Sequence, residues 1–435
     1  MSAPPLAPLR LGLAGLGTVG IGVVKIVQTH AELIAARAGR PVVITAVSAR
    51  DRTKNRDADL SGYAWETDPV ALAARDDVDV FVEVMGGHEG PARLATQKAI
   101  AAGKDVVTAN KALLAHHGQA LAETAEAMGR VIRFEAAVAG GIPVIKVLTE
   151  GLAGNQIRRV MGVMNGTCNY ILTRMQSAGL PYDQVFEEAR QLGYLEADPN
   201  LDVGGIDAGH KLSLLAAIAF GTRVAFDAVE LEGIGNVSID DIKLADDMGY
   251  RIKLLGVAQM TGRGLEQRMT PCLVPADSPL GQLQGGTNMV VLEGDSAGQI
   301  VMRGAGAGMG PTASAVMADV IDIARGFRVS TFGRPAASLA QAIPARSATP
   351  APYYLRMTLL DKPGALAKIA TALGDAGISI DQMRQINQPG AQDDHAIVLI
   401  VTHKAAPADV AHALARFGQT GVLVGAPAAI RIEEV

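Results

Sequence analysis

Lys211 is the residue in this chain whose surroundings most suggest chemistry. It follows Glu196, Asp198, Asp202 and Asp207, and then charge vanishes from "LSLLAAIAF", residues 212–220. Asp207 and Lys211 stand four apart, so on a helix they share a face. Glu196 precedes that helix and reaches the same pocket if the chain folds back. Carboxylates suit a substrate ammonium, and a lysine beside them can give or take an alcohol proton. The plain alternative is a surface pair above a solvated acidic loop. The apolar helix argues against it, because a lysine where a buried helix begins is unfavourable unless it is used. A calcium loop starting at Asp198-x-Asn200-x-Asp202 fails on spacing. Its glycine position holds Val203 and its twelfth position holds Gly209.

A second lysine, Lys111, closes the run Thr108-Ala109-Asn110-Lys111 just past the carboxyl end of an apolar strand. In open α/β sheets that edge forms the ligand crevice. Read alone, the run fits a helix cap with an exposed lysine equally well. The segment Gly15-Leu16-Gly17-Thr18-Val19-Gly20 follows a strand and opens a helix that the pattern extends to about Ala38. Gly15 permits the tight turn, Gly17 lets the backbone approach a pyrophosphate, and Gly20 lets helix and strand pack closely. The second strand ends in Ser48-Ala49, with Arg50, Arg52 and Lys54 after it. These cations suit a 2′-phosphate and favour NADP, while Asp51 keeps NAD open. A further Gly-rich loop, "GAGAGMGPTASAV" at 304–316, runs into a helix. It either closes over the nucleotide from the far side or simply crosses over.

The elements that must hold these groups fall into three parts. Over residues 1–140, "LRLGLAG", "PVVITAVSA", "VDVFVEVMG", "KDVVTAN" and "RVIRFEAAV" alternate with Ala-rich helical segments. That pattern predicts a Rossmann-type, doubly wound α/β domain with a parallel sheet covered on both faces. Residues 141–345 read as an α+β region for substrate and oligomerisation, with a segment near 304–330 returning to the cofactor. "SLAQAIPARSATPAP" (338–352) reads as a linker. Residues 353–435 show the order βαββαβ of a separate, ferredoxin-like unit.

Composition removes other classes of function. Of 435 residues, 49% are hydrophobic and 19% charged, which is globular rather than disordered. The net charge of −5 comes without a basic block, so nucleic acid is not an expected partner. The two cysteines, Cys168 and Cys272, make no disulfide framework and fit a reducing compartment. "MSAPPLAPLR" lacks the apolar core of a targeting segment and residues 212–220 are too short to span a bilayer, so a cytoplasmic protein is expected.

In order along the chain, "GLGTVG", "TANKALLA", "EAAVAGGIP", "NGTCNYIL", "LGYLEADPNLDVGGIDAGHKL" and "GAGAGMGPTASAVMAD" resemble homoserine dehydrogenase. "LLDKPGALAKIATAL" with "GISIDQMRQ" resembles an ACT domain, as in the longer bacterial form of that family. The resemblance implies NAD(P)-dependent interconversion of L-homoserine and L-aspartate 4-semialdehyde, in threonine, methionine and isoleucine biosynthesis. It implies Lys211 as proton donor or acceptor, Lys111 near nicotinamide with a share in catalysis, and Glu196 and Asp207 as substrate ligands. Asn165, Gly166, Thr167 and Tyr194 would lie at the substrate end. Thr18, Val19, Met85, Thr108, Gly193 and Gly308 would join Gly15, Gly17, Gly20, Arg50 and Arg52 around the cofactor. A structural sodium ion would be held by Glu135 and the carbonyls of Val138, Gly140 and Ile142. Threonine would act as effector at the ACT unit, beside Asp361–Gly364, in a homodimer or homotetramer; alternatively the tail only stabilises the oligomer. Two rivals remain: another amino-acid dehydrogenase, and a non-catalytic amino-acid sensor. Cys168 occupies a position that varies in the family; either it carries no meaning or its thiol makes the protein sensitive to oxidants.

Overall fold

A computed structural model describes residues 6–195, 198–386 and 395–434. Two sheets organise the chain. The first is parallel, with strands in the spatial order Ala64–Glu66, Val42–Ser48, Leu9–Ala14, Val80–Glu83, Asp105–Thr108 and Ile132–Arg133. Chain order therefore reverses between Leu9–Ala14 and Val80–Glu83. At such a reversal the two neighbouring loops leave in opposite directions and open a crevice at the carboxyl ends. Continuous apolar strands are what a sheet covered on both faces requires. Leu11, Leu13, Val80, Val82 and Val107 are fully buried in it.

Two details differ from the sequence reading. The strand Ala64–Glu66 has three residues, too few for an apolar run to announce it. The helix expected from the glycine motif to Ala38 is two helices, Thr18–Thr29 and Ala31–Ala38, bent by 84° at His30. A straight continuation would carry Ile34 and Ala38 away from the sheet. The bend instead buries both in the same core as Leu11.

The second sheet is mixed. Its strands run Gly298–Ala305, Thr287–Gly294, Ile157–Val163, Tyr250–Thr261, Gly264–Pro275, Leu423–Ile432, Tyr353–Leu360, His395–Thr402 and Ile380–Ile386. Helices Gly166–Ala178, Ile206–Phe220 and Ile239–Asp247 contact the strand Tyr250–Thr261. In Ile206–Phe220 every residue from Asp207 to Ile218 is buried. Each of its buried leucines contributes roughly 1.5–3 kcal/mol by leaving water. The helix Met309–Ala324 then packs back on the parallel sheet, against Thr18–Thr29. Arg133 pairs with Asp322 at 2.6 Å and with Asp319 at 3.7 Å, which pins that return.

Residues 353–434 form the βαββαβ unit expected, with its own core around Leu355, Ile369 and Phe417. It is not set apart as a separate unit, however. Its last strand joins the second sheet, pairing Arg431 with Cys272 and Ile432 with Leu273 in parallel. Buried ion pairs link Arg268 to Glu266 and Glu433, and Arg431 to Glu433. Arg356 adds a pair to Asp241 at 2.5 Å. The segment read as a linker is pinned along the way, with Leu265 bridged to Pro344 and Ala351 to Ala405.

Candidate active site

At the crevice each glycine of the first motif has a separate physical task. Gly15 has φ +103°, and a Cβ there would lie 2.7 Å from the carbonyl oxygen of Val84. A Cβ on Gly20 would lie 1.9 Å from the carbonyl oxygen of Gly15, so only glycine lets helix meet turn. Around Gly17 nothing lies within 4 Å of the corresponding position. That open cradle stands at the start of the helix Thr18–Thr29, which has no side-chain cap. Free N–H groups and an empty approach are what a pyrophosphate needs. Arg50 and Arg52 lie on the exposed turn after Val42–Ser48, outside the cleft lining. Arg52 sits over the Trp65 ring at 5.8 Å. Arg56, absent from the sequence reading, ties this turn to the glycine motif by donating Nε to the carbonyl of Leu16 at 3.1 Å.

A cleft of about 940 Å³ runs from this motif to the second sheet. Thr18, Val19, Met85, Lys111, Gly193 and Gly308 all line it, as do Asn165, Gly166, Thr167, Tyr194, Asp207 and Lys211. Thr108 does not. Its side chain is fully buried and donates to Glu83 Oε2 at 2.7 Å, because the two residues are register partners on adjacent strands. Thr108, expected beside the cofactor, thus has its hydroxyl turned away from the cleft, behind the lining residues. Glu83 in turn accepts the N–H groups of Met85 and Gly86, at 2.7 and 3.3 Å, and so shapes the loop beside the crevice. Complete burial raises its pKa above the ordinary carboxylate range. Asn110 caps the helix Lys111–Ala127 through the N–H of Leu113 and holds the Gly87 carbonyl at 2.6 Å.

The polar centre lies across the cleft. Asp207 Oδ2 accepts from Lys211 Nζ at 2.7 Å, and Asp207 Oδ1 pairs with Lys111 Nζ at 2.8 Å. Lys211 also donates to the carbonyl of Met164 at 2.9 Å. Asn165 caps the helix Gly166–Ala178 with its Oδ1 and donates Nδ2 to Asp207 at 3.2 Å and Asp202 at 2.9 Å. Burial favours the neutral form of Asp207. The Lys211 and Lys111 ammonium groups outweigh it and hold the carboxyl well below the usual range. Thr167 donates to the Tyr194 carbonyl at 2.9 Å, and the Tyr194 ring stacks on Tyr170 at 4.4 Å. Glu196 falls outside the described residues.

Several groups had no role assigned from the sequence, or no signal in it. Asp202 is buried at the centre, and Asp198 caps the short helix Pro199–Val203 through the N–H of Asn200. His88, His116, His210 and Phe226 gather from separate elements along the cleft wall, with ring centroids 4.1–5.5 Å apart in the contacting pairs. Burial first, then His116, pushes His210 down to about 4, so that ring is neutral at neutral pH. Cys168 is completely buried and donates to the Asp202 carbonyl at 3.3 Å. Burial raises its pKa well above the ordinary thiol value, which favours the reading that the thiol carries no meaning over the one that makes it reactive.

At the turn proposed for sodium, Glu135 is 2% exposed and accepts the N–H groups of Ile145 and Lys146, both at 2.9 Å. Burial, with Asp319 next in importance, pushes its carboxyl up to about 7. Gly140, at φ +56°, presses against the Gly306 carbonyl, and the Ile142 carbonyl already accepts from Val144 at 2.8 Å. The second acid, Asp319, faces Arg133 at 3.7 Å and Lys146 at 3.6 Å, so what the turn offers a hard cation is the Glu135 carboxylate with neighbouring carbonyl oxygens.

A family model described as homoserine dehydrogenase matches residues 143–321. That family's NAD-binding domain matches 15–135, and an ACT domain matches 353–420. The homoserine dehydrogenase of Neisseria gonorrhoeae is 44% identical over 94% of this chain and 95% of its own length. The chain belongs to the homoserine dehydrogenase family. It is an NAD(P)-dependent oxidoreductase with a C-terminal ACT domain. The crystal structure of a homoserine dehydrogenase from Thiobacillus denitrificans superposes with a TM-score of 0.91 at 40% identity, covering 98% of each chain. A hyperthermophilic archaeal homoserine dehydrogenase in complex with NADPH matches with a TM-score of 0.62 at 26% identity. It covers 74% of this chain and 99% of that one. Among the described residues no single helix is long and apolar enough to cross a membrane.

Proposed function

We propose that this chain interconverts L-homoserine and L-aspartate 4-semialdehyde, with Lys211 giving or taking the proton at the alcohol or aldehyde oxygen. The observation that carries this reading is the Lys111–Asp207–Lys211 bridge inside the cleft that begins at the Gly17 cradle. When bound, the nicotinamide accepts or delivers the hydride. The protein then has to orient substrate and manage one proton. Asp207 holds both ammonium groups at one spot, and Asn165 fixes Asp207. Glu196 and Asp207 take the substrate's charged groups, with Gly166, Thr167 and Tyr194 shaping that end. Lys111 stands on the nucleotide side and shares the proton work.

NADP is the preferred nucleotide in this reading, supported by the cations after Val42–Ser48. Gly15, Gly17, Gly20, Met85, Gly193 and Gly308 surround it, with the carbonyl end of Thr108 nearby. A structural sodium ion sits at Glu135 with the carbonyls of Val138, Gly140 and Ile142. Threonine inhibits through the ACT domain of a cytoplasmic homo-oligomer that serves threonine, methionine and isoleucine synthesis.

Steady-state assays of homoserine with NADP⁺ and NAD⁺, with and without threonine, test the substrate, cofactor and effector together. Lys211→Ala is expected to lower kcat by about 10²–10⁴-fold while NADPH binding survives. Near-native turnover in that variant sinks the assignment.

A further inference from the structure

One buried cation plays no part in the chemistry above. Lys253, on the strand Tyr250–Thr261, is 3% exposed. Its ammonium donates to neutral acceptors, Asn169 Oδ1 at 3.1 Å and the Leu283 carbonyl. Among the described residues it makes no ion pair. Asn169, 1% exposed, donates Nδ2 to the Gly285 carbonyl at 2.7 Å. A strand, a helix and a loop thus meet at a single charge.

Both partners lead directly to the cleft. Asn169 lies one turn after Asn165, whose carbonyl accepts the Asn169 N–H at 3.3 Å. The loop continues from Gly285 into Gly286 and Asn288, which line the cleft. A Cβ on Gly166 would lie 2.5 Å from the Gly286 carbonyl oxygen, so loop and helix start touch backbone to backbone. Displacing residues 283–286 would therefore move Asn165–Thr167, and with Asn165 the carboxylate of Asp207.

Packing alone does not call for a charge here. A methionine would fill the same channel without the cost of burying an ammonium. That cost shows as a pKa pushed down to about 8 by burial, with Arg251 adding to it. The other charged or titratable groups near this point are Cys272, register partner of Lys253 on the next strand, then Arg431 and Glu433 one strand further. The helix and the loop contribute only neutral groups.

We infer that Lys253 is a positioning residue for the substrate end of the cleft, clamping loop 283–286 against the first turn of the helix Gly166–Ala178. The inference rests on the reading of Asn165, Asp207 and Lys211 given above. It is tested with Lys253→Met and Lys253→Arg in the full-length enzyme. Lys253→Met is expected to raise the homoserine KM about tenfold or more, since small misplacements near a reacting centre are costly. NADPH affinity should stay the same, and Tm should change little, because relief of the buried charge offsets the two acceptors left without a donor. Lys253→Arg restores part of the KM.

The wild-type homoserine KM should climb as pH rises through about 8, where the ammonium becomes an amine and its two hydrogen bonds lose their charge assistance. The arginine variant should lack that component, because its guanidinium stays charged. A Lys253→Met enzyme with native KM, or one whose only change is a lower Tm, overturns the inference. If that variant does not fold, identical pH profiles for wild type and Lys253→Arg overturn it. Turnover retained in Lys211→Ala would instead sink the reading of the site itself.

Discussion

Asp207 serves two ammonium groups with its two oxygens, and this double contact brings the lysines together. Its folded pKa lies below the ordinary 3.8. The stability it contributes is therefore present above that value and is lost as pH falls through the lower, folded value. Half of this arrangement was legible, because Asp207 and Lys211 are one helical turn apart. Lys111 reaches the same carboxylate from a distant part of the chain, and no local spacing encodes that. Glu135 shows the opposite balance, a buried carboxylate pushed up to about 7 by burial and by Asp319, with Lys146 offsetting only part of the shift. If sodium supplies the remaining counter-charge, thermal unfolding in NaCl should show a higher Tm than in equimolar KCl. Glu135→Gln should abolish the difference. Equal Tm in both salts for the wild-type protein removes sodium from the account.

At the scale of elements, the turn from strand Leu9–Ala14 into helix Thr18–Thr29 separates two effects of glycine. Gly17 has φ −79° and open space around its missing Cβ, so Gly17→Ala should leave Tm unchanged. The added methyl enters the space a pyrophosphate would take, and NADPH Kd should rise about tenfold, or roughly 1.4 kcal/mol. Gly20→Ala instead drives a methyl into the Gly15 carbonyl. It should lower stability by about 1–3 kcal/mol as well as weaken the nucleotide. Calorimetric melting with a fluorescence titration of NADPH distinguishes them; equal loss of Tm in both variants refutes the division. The sequence carried this turn almost completely, because its constraints are local. It misread the helix beyond, since the bend at His30 answers to the core that Ile34 and Ala38 enter.

In the whole molecule, the ACT domain is joined to the catalytic part by a shared sheet and a buried charge network. Two backbone pairs alone would be a weak seam. Glu433, 4% exposed, pairs with both Arg268 and Arg431 there. Glu433→Ala strands the buried Arg431 guanidinium and leaves Arg268 with Glu266 alone; it should cost about 3–5 kcal/mol, read as a lower Tm. If threonine inhibits as proposed, that inhibition should weaken more than uninhibited turnover does. A variant with native Tm and native inhibition would show that the seam needs no charge. Arg159 reaches this network too, donating to the Glu434 carbonyl at 3.0 Å. It lies on the strand Ile157–Val163, just ahead of Met164, whose carbonyl accepts from Lys211, and of Asn165 in the cleft, so the terminal strand and Lys211 share a support.

Within single elements the amino-acid sequence was sufficient. Strand–glycine–helix punctuation, the apolar run after Lys211 and the βαββαβ order of the tail rest on backbone sterics and hydrophobic period, which neighbours in sequence set. The family resemblance was legible for the same reason, since its motifs are contiguous. Tertiary structure decided what contiguity cannot express. It turned Thr108 inward to Glu83, drew Asp202 and the histidines into the cleft wall, and joined the strands of the tail to the second sheet. It also buried Lys253 beneath the substrate end. Each of these depends on which distant groups share a low-dielectric interior, where an unpaired charge or donor is too costly to leave without a partner.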